Sequence, residues 1–293
     1  MKILIIGSTG ILGTELVQIL STSQHQVITP DSAELDLLNP TSIGEVIHTF
    51  KPDFVINCAA WTDVDGAQSQ SDAAFALNAE AVGELGRITQ ELNLPIVHIS
   101  TDYVFNGKSL APYTEEDTTD PINAYGASKL KGEKLLLEAN PENSWVIRTS
   151  WLYGQSGNNF VKSITRKALK NEAARVVNDQ VGSPTNAADL AVGILSLVEK
   201  RPEPGLYNFS NQGAVSWYGF AEKIYQLIGA DEVLLTPIMA SDLNTKAPRP
   251  ENSALSKEKW IKANLSQIPD WDASLESALP EIVRKVRDEI AHE

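Results

Sequence analysis

Apolar positions in the first half of the chain follow two rhythms that take turns. KILIIG, HQVIT (25–29), DFVINCA (53–59), PIVHIST (95–101) and SWVIRTS (144–150) are short apolar runs rich in β-branched residues. Between them, apolar residues recur every three or four positions: Leu12 to Leu20, Thr41 to Phe50, Ser71 to Leu92, and a segment opened by PINAYGASKLKGEK (121–134). The first kind predicts strands covered on both faces, and the second predicts amphipathic helices. Their alternation predicts an α/β fold, a Rossmann-type doubly wound parallel sheet.

After Tyr153 the rhythm loosens. GNNFVKSITRKALK, NAADLAVGILSLVEK, 216–228 and 273–290 read as helices, ARVV and LYNFS (206–210) as strands, and proline-rich irregular chain fills the rest. The expected organisation is a dinucleotide-binding domain at 1–150 with a return segment at 175–210. A smaller, mostly helical substrate lobe would comprise 151–174 and 211–293.

Composition narrows the function classes. The 293 residues, 42% hydrophobic and 21% charged, suffice for a large core or two. No apolar run reaches the roughly 18 residues that a membrane span needs. MKILIIGSTG reads as a strand entering a glycine turn and not as a signal peptide. A net charge of −14 disfavours nucleic acid as a partner. A single cysteine, Cys58, excludes an internal disulfide framework and a Cys-rich metal site, so a cytoplasmic protein is expected. The acidic cluster EEDTTD (115–120) reads as a solvated loop, with a metal site as the alternative.

Candidate chemistry sits where strands hand over to helices. GSTGILG places Gly7, Gly10 and Gly13 between the first strand and the first helix. Glycines there permit the tight turn and let a pyrophosphate approach the backbone at a helix N-terminus. The spacing is G-x-x-G-x-x-G. Asp31, past the second strand, is the candidate for the adenine ribose hydroxyls of a dinucleotide, with Ser32 where an NADP-dedicated site would carry a base. Asp36 lies near an adenine or is simply a capping carboxylate. Tyr125 and Lys129 stand four apart, hence on one helix face. An ammonium beside a phenol favours the phenolate and makes the pair an acid–base group. Thr101 or Ser100, at the carboxyl end of the fourth strand, can hydrogen-bond a carbonyl oxygen; Thr101 is preferred.

Together, G-x-x-G-x-x-G, the strand-four Ser/Thr and Y-x-x-x-K resemble the extended short-chain dehydrogenase/reductase family. Within it the chain is similar, nearly end to end, to the group of dTDP-4-dehydrorhamnose reductases. NCAAWTDVDGAQ, STDYVFNG, YGASKLKGE, RTSWLYG, NNFVKSI, VVNDQVGSPT and RPENSAL carry the likeness. The resemblance implies NADPH or NADH as cofactor and reduction of the C4 ketone of a dTDP-sugar, dTDP-4-dehydro-β-L-rhamnose. Thr101, Tyr125 and Lys129 would form the catalytic group. Gly10, Ile11 and Leu12 would line the pyrophosphate; Asp31, Asp36 and Leu37 would lie by the adenosine; Ala60, Trp61 and Thr62 would pass along the cofactor. Asp102, Trp151, Asn159 and Arg249 would contact the sugar nucleotide. Tyr103 stands where related 4,6-dehydratases carry an acid, which disfavours elimination. Some members share Mg²⁺ between glutamates of a homodimer. Glu15 fits one such position, but Ala188 stands where a second glutamate is expected, so a monomer or a homodimer both fit. The rival readings are another NDP-4-keto-sugar reductase or epimerase, and a non-catalytic regulatory relative such as a methionine adenosyltransferase β subunit.

Overall fold

A computed structural model describes the whole chain, Met1–Glu293. Strands β1 (Lys2–Ile6), β2 (Gln26–Ile28), β3 (Phe54–Asn57), β4 (Ile96–Thr101), β5 (Ser144–Thr149) and β6 (Gly205–Asn208) form one six-stranded sheet. Every pairing is parallel and the order is β6-β5-β4-β3-β1-β2. The order reverses beside β1, which opens a crevice between the carboxyl ends of β1 and β3. The glycine turn enters that crevice.

Alternation along each strand feeds two cores. Ile3, Ile5, Phe54, Ile56 and Val97 point to the face covered by α1 (Ile11–Ser21) and α6 (Ala187–Lys200). Leu4, Ile6, Val55, Ile96 and Val146 point to the face covered by α2 (Pro40–Phe50), α3 (Ala81–Glu91) and α4 (Ala124–Ala139). Ahead of α3, the chain runs helically through Ser71–Phe75 and a π-helical turn at Ala76–Glu80. The extra residue in that turn suits it to close packing: a Cβ on Gly132 of α4 would fall 2.1 Å from the Asn78 carbonyl.

The C-terminal lobe has its own core, in which α5 (Phe160–Leu169), α7 (Trp217–Ile228) and α8 (Trp271–Ala291) pack around Tyr153, Phe220, Tyr225 and Leu279. Pro280 lies inside α8 but on its exposed face, where water can serve the carbonyl left unpaired. Two segments differ from the expected division. Ala174–Val177 pairs in parallel with Leu235–Ile238 and packs in the lobe core, so the segment that returns to the sheet is α6 and β6. Trp260, inside the stretch assigned to the lobe, packs edge-on against Tyr207 and Phe209 in the sheet domain. A fully buried indole settles where aromatic partners exist, and periodicity cannot name the partner. No helix is long and apolar enough to cross a membrane.

Candidate active site

The glycine turn is shaped by close approach. Gly7 has φ +79°, and a Cβ there would meet Ala59 N at 2.8 Å. A Cβ on Gly13 would fall 2.1 Å from the Gly7 carbonyl. Gly10 caps α1 with no side-chain hydrogen bond, and no acidic residue stands in the first turn. The first N–H groups of α1 therefore face the crevice without a partner from the cap, the chemistry a pyrophosphate needs. These residues fit a dinucleotide.

That helix end lines a cavity of about 800 Å³ that runs along the carboxyl edge of the sheet into the lobe. Ala60 and Thr62 line it past β3, and Thr101, Asp102, Tyr125 and Lys129 line its centre. Trp151 and Asn159 line the lobe side. A second cavity of about 380 Å³ shares Tyr103 and Trp217 with the first and carries Lys167, Arg175 and Arg249.

Tyr125 is placed by the start of α4. Asn123 caps the helix, its Oδ1 accepting from Gly126 N at 2.8 Å, and its Nδ2 donates to the Pro248 carbonyl at 2.9 Å. A Cβ on Gly126 would fall 2.1 Å from the Tyr103 carbonyl. The glycine after the tyrosine thus lets the helix lie directly on the exit of β4. Burial pushes the Tyr125 phenol up to about 12, partly offset by a hydrogen bond with Thr101, while the charge of Asp102 adds to the rise. Tyr103 packs edge-on against it at 5.9 Å, and burial raises its phenol too.

The sequence expectation that Lys129 lowers the Tyr125 pKa is not what this geometry does. The Lys129 amine turns toward β4, donating to the Ile99 carbonyl at 2.6 Å and standing 3.1 Å from His98 Nε2. Burial brings its pKa down to about 8, against a raising influence of Glu133. Thr101 also has a partner: its hydroxyl donates to Asp102 Oδ1 at 3.0 Å and accepts from Tyr103 N at 3.1 Å. Burial lifts Asp102 to about 7, with hydrogen bonds from Ser253 and Thr101 working the other way.

Other expected residues lie outside the first cavity or are engaged by other partners. Asp31 Oδ1 accepts from Ala33 N and Glu34 N, and Asp36 Oδ1 from Leu38 N, so both carboxylates cap their own loop. Leu37 is buried in the core beneath. Trp61 directs its indole N–H to the Asp63 carbonyl. Asn159 lines the cavity, yet its amide caps α5 and donates to the Gly154 carbonyl. Arg249 makes a two-pronged pair with Asp65 at 2.9 Å, which takes that carboxyl down to about 2. The Mg²⁺ expectation finds no fit. Glu15 is buried with Oε1 accepting from Gln155, and no group of three or more His, Cys, Asp or Glu side chains gathers anywhere.

Sequence reasoning missed several residues at the site. His98 had no signal beyond being a lone histidine in a strand. Trp217 stacks on Trp151 with ring centroids 3.5 Å apart and separates the two cavities. Asn78, in the π turn, holds Trp61 with its side-chain amide, which accepts from the Trp61 backbone N–H and donates to the Trp61 carbonyl.

A model of the RmlD substrate binding domain matches residues 1–284. The chain belongs to that family. It is 37% identical over 287 residues to the dTDP-4-dehydrorhamnose reductase of Aggregatibacter actinomycetemcomitans, covering 94% of this chain and 97% of that one. It is 35% identical to a dTDP-4-keto-6-deoxy-D-glucose reductase of Streptomyces niveus, covering 94% and 96%. The crystal structure of the Bacillus anthracis dTDP-4-dehydrorhamnose reductase in complex with NADP superposes with a TM-score of 0.92 at 36% identity, over 96% of this chain and 99% of that one.

Proposed function

We propose that this RmlD-family chain is an NAD(P)H-dependent oxidoreductase that reduces the C4 ketone of dTDP-4-dehydro-β-L-rhamnose to dTDP-L-rhamnose. Near full-length likeness to reductases of dTDP-4-keto sugars supports the substrate class, and likeness to a relative solved with NADP supports the cofactor. The observation that carries the reading is one cavity lined both by the bare N-terminus of α1 and by Tyr125, Thr101 and Lys129.

When bound, the nicotinamide supplies the hydride. The chain's residues do the rest. Tyr125 supplies the proton to the carbonyl oxygen; with its pKa pushed up to about 12 it stays protonated until an alkoxide develops beside it. Thr101 turns its hydroxyl from Asp102 to the same oxygen, giving a second donor where charge accumulates. Lys129, whose amine lines the same cavity, would hold ribose hydroxyls of the cofactor. Trp151 and Asp102 bound the sugar, and the second cavity, with Lys167, Arg175 and the Arg249–Asp65 pair, supplies cations toward the diphosphate side.

The test is oxidation of NADPH and of NADH, followed by absorbance, with enzymatically made dTDP-4-dehydrorhamnose. Oxidation coupled to formation of dTDP-L-rhamnose is expected. Oxidation only with dTDP-4-keto-6-deoxyglucose would move the substrate to that of the Streptomyces niveus relative, and dinucleotide binding with no oxidation of either would refute the reductase reading.

A further inference from the structure

Beneath the catalytic group runs a line of buried polar groups that the reaction above leaves unused. Ala59 N–H donates to Asn57 Oδ1 at 3.1 Å. That bond fixes which way the Asn57 amide faces, so its nitrogen is the atom 3.1 Å from His98 Nδ1. An amide nitrogen only donates, so His98 Nδ1 accepts. Burial holds His98 neutral, its pKa well below the usual value, and its single ring proton therefore sits on Nε2. Nε2 faces Lys129 Nζ at 3.1 Å. A ring N–H and an ammonium are both donors, whereas an uncharged amine has a lone pair to accept. Asn57 and His98 are fully buried and Lys129 is 1% exposed, so bulk water does not relieve the conflict.

We propose that Asn57 and His98 are positioning residues for Lys129: the fixed direction of the line from Ala59 presents a ring N–H to the lysine amine and favours its uncharged form in the cofactor-free protein. The proposal rests on the functional reading above, in which Lys129 serves the bound cofactor. For Lys129 to donate to His98 as an ammonium, the ring proton must sit on Nδ1 and the Asn57 amide must turn over. Ala59 N–H then loses its acceptor, and a buried unpaired N–H is costly. The charge of Lys129 is thereby tied to the strand-three backbone that touches the glycine turn.

The other groups facing Lys129 are few. Cys58, next to Asn57, is held as a neutral thiol by burial, its pKa up to about 12. Glu133, on the same helix, favours the ammonium, but Arg148 of β5 binds both its oxygens at 2.7–3.2 Å. Tyr125, one turn earlier, is a neutral phenol. Burial is the largest influence on the amine and acts in the same direction as the His98 N–H.

The experiment follows NADPH binding, by the coenzyme's own fluorescence, from neutral to alkaline pH in the full chain. Binding of the wild type weakens as Lys129 loses its proton. Asn57→Ala frees the His98 ring to accept from an ammonium. His98→Gln offers an amide that turns either way and keeps Asn57 in place. Both variants, checked for native circular dichroism, are expected to move the alkaline loss of binding upward by about one pH unit, a tenfold gain in proton affinity. Should Asn57→Ala fail to fold, His98→Gln decides alone. Asn57→Asp keeps an acceptor for Ala59 N–H and sets the ring proton on Nδ1, and is expected to shift at least as far. An unchanged midpoint in Asn57→Ala and His98→Gln overturns the proposal. A shift confined to Asn57→Asp also overturns it, because that reports only an added charge. A wild type that binds no dinucleotide at any pH would instead sink the functional reading, and this proposal with it.

Discussion

Tyr125 is protonated far above neutrality, and that suits a proton donor better than a base. The same fact predicts how its loss should look. Tyr125→Phe keeps the ring, so cofactor titrations should give a dissociation constant within about twofold of wild type. Turnover should fall by about 10²–10⁴, the usual worth of a positioned acid. Turnover near wild type would remove Tyr125 from the mechanism. Asp102 carries a different signature. Its carboxyl holds a proton more firmly in the folded chain, about 7 against 3.8. Stability from this group is fully present below about 3.8 and is lost as pH rises through about 7. Asp102→Asn, which stays neutral, should therefore gain in melting temperature over wild type as pH is raised from mildly acidic to mildly alkaline. A difference between the two proteins that stays constant over that range would show that Asp102 is not buried as a reluctant carboxylate.

Helices in this protein are positioned by what their glycines leave out. Gly126 and Gly44 both lie inside helices, and intrinsic propensity treats them alike. Their surroundings differ. A Cβ on Gly44 of α2 would meet nothing within 4 Å, whereas on Gly126 it would strike the Tyr103 carbonyl. Gly44→Ala should stabilise the fold by about 0.5–1 kcal/mol through the lost backbone freedom of the unfolded chain. Gly126→Ala should destabilise it by about 1–3 kcal/mol, as overpacking does, and lower turnover because Tyr125 moves with the helix. Urea unfolding of both variants checks the pair of signs; a stabilising Gly126→Ala would mean that α4 does not rest on the β4 exit. The π turn before α3 works on the same principle. It brings the Asn78 carbonyl against Gly132 and its side chain against Trp61 and Ser128, so one irregular turn ties the strand-three loop to the helix of the tyrosine.

The two lobes meet across the site, joined by the Asp65–Arg249 pair and the bond from Ala247 N to Asp65. The half of the cavity beside the glycine turn is built from the sheet domain, with Ile11 reaching the lobe at Gly157. A dinucleotide that binds only the folded chain should stabilise it by about 2.7 kcal/mol at a hundred times its dissociation constant. Scanning calorimetry with NADPH or NADH should show this as a rise in melting temperature. Gly13→Val, whose side chain would collide with the glycine turn, should abolish the response. A variant that keeps the full response would place the dinucleotide elsewhere.

Sequence by itself determined the sheet, its helices and the chemistry of its carboxyl edge. Two-residue and three-to-four-residue periodicities are local consequences of which face is buried, and the glycine turn and the Tyr125–Lys129 spacing are local as well. So the strands and most helices are legible within a residue or two, and Tyr125, Thr101 and the glycines meet in one cavity. Tertiary structure decided what local pattern cannot carry. Arg249 is matched by Asp65, 184 positions away, and Trp260 by aromatic partners on a returning strand. Lys129 was read from its spacing to Tyr125, yet its buried amine meets His98 and the Ile99 carbonyl on β4 and, through His98, the Asn57 amide on β3. A hydrogen bond's direction and a group's charge depend on every buried neighbour, and those neighbours are chosen by the fold as a whole.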